Sequence, residues 1–334
     1  MKRLFVNALV WLHVFWLAGC AARNSTGKIP LRIAVGGQAQ LIYLAATLAQ
    51  DLGMYDAEGL SVTLQDFPGG QKSLEALLGG SADVVCGFYD HTIEMAAKGQ
   101  SLRAFVFILR YPGMVAVAGP GIAKIEDLRG KIVGVSAAGS STQMFLNYLL
   151  VTHGLRPDDV SAASIGMAAT AVGAMTHGKV DAAIMTDPAL EIVMKQLPKL
   201  VILADTRTAE GVRQTYGVDL YPSVVLYSTP QWIERNHDAA SRLARAMNRT
   251  LDWMRSHKPE EIRDRMGAQF RSDDVATDLA GLRYLQAMLS PDGRMTPESA
   301  AAVRKVLSIS LEDVRNANID LDRTYTNEFS PPLR

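Results

Sequence analysis

The alternation of short apolar runs with helical stretches starts twice in this chain, and that doubling restricts the fold more than any other feature of the sequence. Residues 31–35, 60–67, 82–88 and 102–109 have the apolar, turn-bounded character of strands, while 41–52, 71–78 and 91–98 between them carry helical spacing. The series then begins afresh, with strands at 131–135, 160–165, 182–186 and 200–204 and helices at 141–152, 169–176 and 188–196. Such alternation puts helices on both faces of a sheet. Two series in 334 residues, more than one core usually holds, predict an α/β protein of two Rossmann-like lobes.

A short internal signature supports the doubling. Ala76, Gly80 and Asp83 are spaced as Ala174, Gly178 and Asp181 are, 98 residues further on, and each trio joins a helix end to a strand. Arg32-Ile33-Ala34 and Lys131-Ile132-Val133 open the two halves at an offset of 99. The glycines read as helix C-terminal residues with positive φ, and the aspartates as turn formers ahead of a strand. The chain crosses between lobes twice, at Tyr111-Pro112-Gly113 into 114–118 and at Tyr221-Pro222 into 223–227. Lobe 1 is therefore expected to comprise 31–113 and 222–334, and lobe 2 to comprise 114–221. From Pro230 onward the pattern is helical, at 231–256, 259–270, 274–289 and 297–308, an extension expected to lie on lobe 1.

The first residues read as an address. Lys2 and Arg3 precede an uncharged, mostly apolar run, 4–18, which is short for a bilayer span of about 20 residues but suits a signal sequence. It ends in Leu17-Ala18-Gly19-Cys20, which resembles a bacterial lipobox. That resemblance implies a signal peptide over 1–19, a lipid on Cys20 that holds the protein on a membrane of the cell envelope or periplasm, and a tether over 20–30. Cys86 is then the remaining thiol, and its apolar run makes it an inert core residue. Two cysteines exclude a disulfide framework or a four-cysteine zinc site. Lys plus Arg and Asp plus Glu both number 34, so no basic field points to nucleic acid.

Ligands of open α/β sheets sit beyond the carboxyl ends of the strands, where helix N-termini offer unpaired N–H groups. The candidate contacts are therefore read from the strand-to-helix junctions. Lobe 1 supplies Gln38 and Gln40, Gly70 and Gln71, and Phe88 and Tyr89, with Asp90 a plausible N-cap. Lobe 2 supplies Ser140, Ser141 and Thr142, the best anion cradle, and Asp187, followed by a proline at the first helical position. Ser140, Ser141 and Asp187 could equally be plain helix caps. Arg110, at a strand end beside the first crossing, is the candidate anion partner.

At these residues the chain resembles the solute-binding proteins of ABC importers for sulfonates, taurine and nitrate, a group that includes thiamine-pyrimidine binders. The resemblance is carried by Phe67-Pro68-Gly69-Gly70 through Leu74-Glu75-Ala76-Leu77, by Asp127-Leu128-Arg129-Gly130-Lys131, by Gly139-Ser140-Ser141 and by Asp181-Ala182-Ala183 through Asp187-Pro188. It implies a type 2 periplasmic binding protein: a monomer that captures a small polar or anionic solute by hinge closure and delivers it to a permease with its ATPase. Thr186 and Tyr89-Asp90-His91-Thr92 depart from the family pattern at pocket positions, so the ligand class does not carry over, and an amino-sulfonate and a heterocyclic amine both stay open. No catalytic, metal or cofactor apparatus is legible. Gly134-Val135-Ser136-Ala137-Ala138 misses a nucleophile elbow, there is no P-loop and no H-E-x-x-H, and nothing matches the cysteine-rich iron segment of the yeast-type pyrimidine synthases that share the fold. An enzyme of this fold acting on a small heterocycle and a ligand-sensing lipoprotein are the alternatives.

Overall fold

The computed structural model describes residues 27–331; the signal segment and Cys20 lie outside the described residues. Two five-stranded sheets form the frame. The first contains β1 (Ile29–Gly36), β2 (Leu60–Phe67), β3 (Val84–Phe88), β4 (Arg103–Phe107) and β10 (Val224–Ser228), in the order β2-β1-β3-β10-β4. The second contains β5 (Val115–Ala118), β6 (Ile132–Val135), β7 (Ser161–Ser164), β8 (Ala182–Met185) and β9 (Val201–Asp205), in the order β7-β6-β8-β5-β9. The orders are the same once chain numbering is removed. In each sheet the strand that arrives from the other lobe, β10 or β5, lies antiparallel between two strands of the resident series.

Central strands are apolar along their whole length because helices cover both faces. β3, β5 and β10 are buried at every residue. Cys86 in β3 has no exposure, and burial pushes its thiol up to about 12, so it is an inert core group as its surroundings in the sequence predicted. Lobe 1 carries α1 (Leu44–Asp51), α2 (Met54–Ala57), α3 (Gly70–Leu78) and α4 (Asp90–Ala97). Lobe 2 carries α5 (Ser141–Thr152), α6 (Ala169–Thr176), α7 (Ala189–Gln196) and α8 (Ala209–Tyr216). The sequence pattern did not reveal α8, whose apolar face is only Val212 and Tyr216; it is fixed instead by its ends, with Thr208 accepting from the Gly211 N–H at 3.0 Å and Gly217 closing it at φ 66°.

The C-terminal part comprises α9 (Pro230–Arg235), α10 (His237–Ser256), α11 (Pro259–Arg265), α12 (Val275–Met288), α13 (Pro297–Ser310) and α14 (Glu312–Asn316). Helix α10 packs on α1, α2 and β4 of lobe 1, as expected. Helices α12 and α13 reach further: α12 also meets α7, and α13 lies along α5 as well as α4, so the extension straddles both lobes. The last residues then cover the outer edge of β4, with the Ala104 N–H on the Thr324 carbonyl at 2.9 Å and the Thr326 N–H on the Ala104 carbonyl at 2.8 Å.

The internal signature has a structural reason. Asp83 accepts the backbone N–H of Arg32 at 2.8 Å, and Asp181 accepts that of Ile132 at the same distance. Each carboxylate therefore ties the start of one strand to the start of its neighbour. The pairing also shifts the equivalence by one residue, since Arg32 corresponds to Ile132 and not to Lys131. Replacing Asp181 with Ala is expected to lower unfolding free energy by about 1–2 kcal/mol, the cost of orphaning a strand-entrance N–H. Urea denaturation would register it; an unchanged midpoint would show the bond to be dispensable.

Candidate functional site

The strand-to-helix junctions of the two sheets meet along a closed seam. Gly69, at φ 126°, lies so near lobe 2 that a Cβ there would stand 3.2 Å from both Ala137 Cβ and Ser136 Oγ. Gly37, at φ 95°, leaves room in the same way for Met167. Polar contacts span the seam where the backbone comes close. The Ser141 hydroxyl donates to Asp90 Oδ1 at 2.9 Å, the Thr186 hydroxyl donates to Gln40 Oε1, and the Leu41 N–H donates to the Asp187 carbonyl at 2.9 Å.

Between these contacts is a small cavity of about 20 Å³. Lobe 1 lines it with Gly36, Ile42, Tyr43, Gly70 and Phe88, and lobe 2 with Ser136, Ser140, Ser141, Thr142, Met167 and Thr186; Met114 of the first crossing closes the base. Of the residues singled out in the sequence, Gly70, Phe88, Ser140, Ser141 and Thr142 thus face the cavity. Gln71 sits outside it, in a wider groove at the mouth with Lys72 and Gly139. Tyr43, Met114 and Met167 gave no site signal in the sequence, because an aromatic or methionine in an apolar run reads as core.

The hydroxyls form a compact donor–acceptor set. Ser136, Ser140 and Thr142 lie 2.7–2.9 Å from one another, and Ser140 Oγ is also 2.7 Å from the Ala137 carbonyl. With its proton on the Ala137 carbonyl, Ser140 accepts from both Ser136 and Thr142 and is saturated, while Ser136 and Thr142 keep accepting capacity for a polar group entering the cavity. Gln40, expected as a contact, does not line the cavity; its Nε2 is buried without a partner, as is Nε2 of His91, which packs against Gly70. Burial disfavours the charged imidazolium of His91, but Glu94, 3.4 Å from Nδ1, and the charge of Asp90 outweigh it and raise the ring above its ordinary value. Burial raises the Asp90 carboxyl, with His91 and the Ser141 hydroxyl acting against it.

Five expectations from the sequence need correction. Tyr89 turns away from the cavity; its hydroxyl lies 2.5 Å from Thr324 Oγ1, where it anchors the C-terminal segment. The N-cap position is Tyr89, and Asp90 is instead the first helical residue, drawn across the seam by Ser141. Arg110 donates through Nη2 and Nε to the Ala287 carbonyl at 2.9 and 3.2 Å, which caps α12 and removes the guanidinium as an anion partner. Asp187 neither caps α7, which starts at Ala189, nor lines the cavity: its carboxylate pairs with Arg207 at 3.5 Å, and burial raises it to about 7. Gln38 is likewise turned aside, with its amide on Thr47 Oγ1 at 3.1 Å.

Two mixed sheets, two crossings and a seam-lined cavity define the periplasmic binding protein fold, and comparison with known proteins agrees. The chain matches the NMT1/THI5-like family over residues 43–262 and belongs to it. A solved protein of Bordetella bronchiseptica RB50 is 35% identical with a TM-score of 0.86, covering 90% of this chain and 96% of that one. The alkanesulfonate-binding protein SsuA from Xanthomonas axonopodis pv. citri, bound to MOPS, shares the fold at a TM-score of 0.71 and 18% identity, covering 90% and 99%. The 4-amino-5-hydroxymethyl-2-methylpyrimidine phosphate synthase of Schizosaccharomyces pombe is 30% identical over 163 residues, 48% of this chain and 45% of that enzyme, so the chain spans under half of that relative's length.

A double-mutant cycle tests the seam. Ser141→Ala strands a buried carboxylate, and with Asp90→Ala as the second arm the two changes are expected to couple by about 1.5–3 kcal/mol in stability at pH 7.5. Additive losses in chemical denaturation would mean that the bond is not formed in solution.

Proposed function

We propose that the protein is an extracytoplasmic solute-binding protein of an ABC importer, held to a membrane by lipid on Cys20, with the units 31–113 plus 222–334 and 114–221 closing as a monomer on one small molecule. The fold, the family and the seam cavity support this reading. Its solute, on this account, is an uncharged or weakly basic heterocycle and not nitrate or a sulfonate.

The observation that carries the ligand class is the absence of charge from the cavity wall. Among the described residues no Lys, Arg, Asp or Glu lines it, and Arg110 faces elsewhere. A small anion taken from water into such a cavity needs a formal positive charge or a set of converging N–H donors to offset desolvation. The wall instead sets the apolar side chains of Tyr43, Phe88 and Met167 beside the hydroxyls at the start of α5, with the unpartnered Gln40 amide behind Thr186, and a heterocycle would need the closed cavity to widen around it. A planar heterocycle carrying amino or hydroxymethyl groups satisfies both halves. The name of the Schizosaccharomyces pombe relative is consistent with that chemistry, but the chain has no cysteine besides Cys20 and Cys86, which leaves the cysteine-rich iron segment of such synthases without a counterpart.

A thermal-shift screen of the chain from Ala21 onward provides the test. Aminopyrimidines and related neutral heterocycles are expected to raise the melting temperature in a concentration-dependent way and to be recovered chemically unchanged. Stabilisation by nitrate or alkanesulfonates would overturn the ligand class, and conversion of the bound compound would overturn the non-enzymatic reading.

A further inference from the structure

We propose that closing the lobes takes up a proton in the carboxylate cluster around Arg207, so that the closed state gains population as the pH falls from neutral toward 5. Arg207, in lobe 2, faces Asp205 at 2.8 Å, Glu191 at 2.9 Å and Asp187 at 3.5 Å. The side chains of Arg207 and Asp187 are 4% and 6% exposed. Three ionised carboxylates around one buried cation would leave two negative charges uncompensated, a state that burial penalises. Asp187 is the group that relieves it. It is the most buried of the three and the farthest from the guanidinium, and its Oδ1 has no hydrogen-bond partner, whereas Asp205 and Glu191 retain contact with solvent.

The seal over the cluster comes from the other lobe. The Leu41 N–H sits on the Asp187 carbonyl, Gly281 of α12 lies against the Asp187 side chain, and the Tyr284 ring stacks on Arg207 with 4.1 Å from guanidinium carbon to centroid. None of these groups brings a charge. The carboxylates of α12 and its N-cap are engaged elsewhere, Asp278 with Arg263 at 2.8 Å and Asp274 with Lys195 at 2.6 Å. Opening the lobes therefore returns Asp187 to water without giving it a new partner.

Burial, countered by Arg207 and reinforced by Glu191 and Asp205, raises Asp187 to about 7 in the closed form. A carboxyl raised on closing favours the closed state when protonated. The advantage is complete below the ordinary carboxyl value of about 4 and is lost as the pH rises through about 7. From pH 5 to pH 8.5 the closed-to-open ratio is expected to fall about 100-fold. Asp90 and His91 also lie at the seam, both raised from their ordinary values, so the test must separate them from Asp187.

Hydrogen exchange at the Leu41 amide, which donates across the seam, does so without a ligand. Its protection, corrected for the intrinsic exchange rate, reports the closed-to-open ratio. The expected result for the chain from Ala21 onward is a fall in protection of about 100-fold between pH 5 and pH 8.5, against steady protection in β3 and β10. Asp187→Asn should flatten the dependence, and Glu191→Gln, which removes a charge that retains the proton, should shrink it. Wild-type protection that is independent of pH, dependence that survives undiminished in Asp187→Asn, or a Leu41 amide with no protection at any pH would each overturn the proposal. If Asp187→Asn does not fold, an unchanged dependence in Glu191→Gln overturns it.

Discussion

Each sheet is completed by a strand that arrives directly from the other lobe, and the rest of the architecture depends on that exchange. Backbone N–H and C=O groups at the centre of a sheet have to be paired. β5 satisfies β8 and β9, while β10 satisfies β3 and β4. The crossings at Tyr111–Met114 and Tyr221–Ser223 are therefore rooted in the two sheets and cannot drift. Thr206 and Ser223 reinforce them, Thr206 Oγ1 donating to the Met114 carbonyl at 2.7 Å and Ser223 Oγ to the Tyr111 carbonyl at 2.7 Å. The two sheets are thereby joined by two backbone crossings.

The seam brings together chemistry that neither lobe has alone. Lobe 1 presents rings and a glycine floor, and lobe 2 presents hydroxyls at the start of α5. Adjacent residues at the start of α4 divide the work: Tyr89 holds the C-terminal segment, Asp90 takes the Ser141 hydroxyl across the seam, and His91 packs behind Gly70. Helix α13, which touches both α4 and α5, links the helices that carry these two sides of the cavity. A solute that contacts both lobes shifts the balance between open and closed by the difference in its affinity for the two.

Much of this was legible in the sequence, for identifiable reasons. Strand positions followed from apolar runs bounded by turns, and the doubled topology from the Asp83 and Asp181 signature, because both are local and repeat. The hydroxyl junction at 136–142 was legible because glycine and three hydroxyls cluster at one helix start, although capping alone could explain part of that cluster. What failed depends on direction. Tyr89, Arg110 and Asp187 lie at the right junctions, but their side chains are claimed by the C-terminal segment, the end of α12 and Arg207, partners 235, 177 and 20 residues away in sequence. No periodicity encodes such pairings. Met114 and Met167 were missed for the opposite reason, since a cavity wall and a core look alike when both are apolar.

The central claim is that one small molecule is held intact between Phe88 and the hydroxyls of Ser136, Ser140 and Thr142. A crystal structure of the chain with a solute that stabilises it tests this most directly. The expected result is density for the unaltered molecule in the seam cavity, touching residues of both lobes, with the Asp90–Ser141 bond closed beside it. Density on one lobe only, outside the cavity, or for a chemically changed molecule would contradict the account.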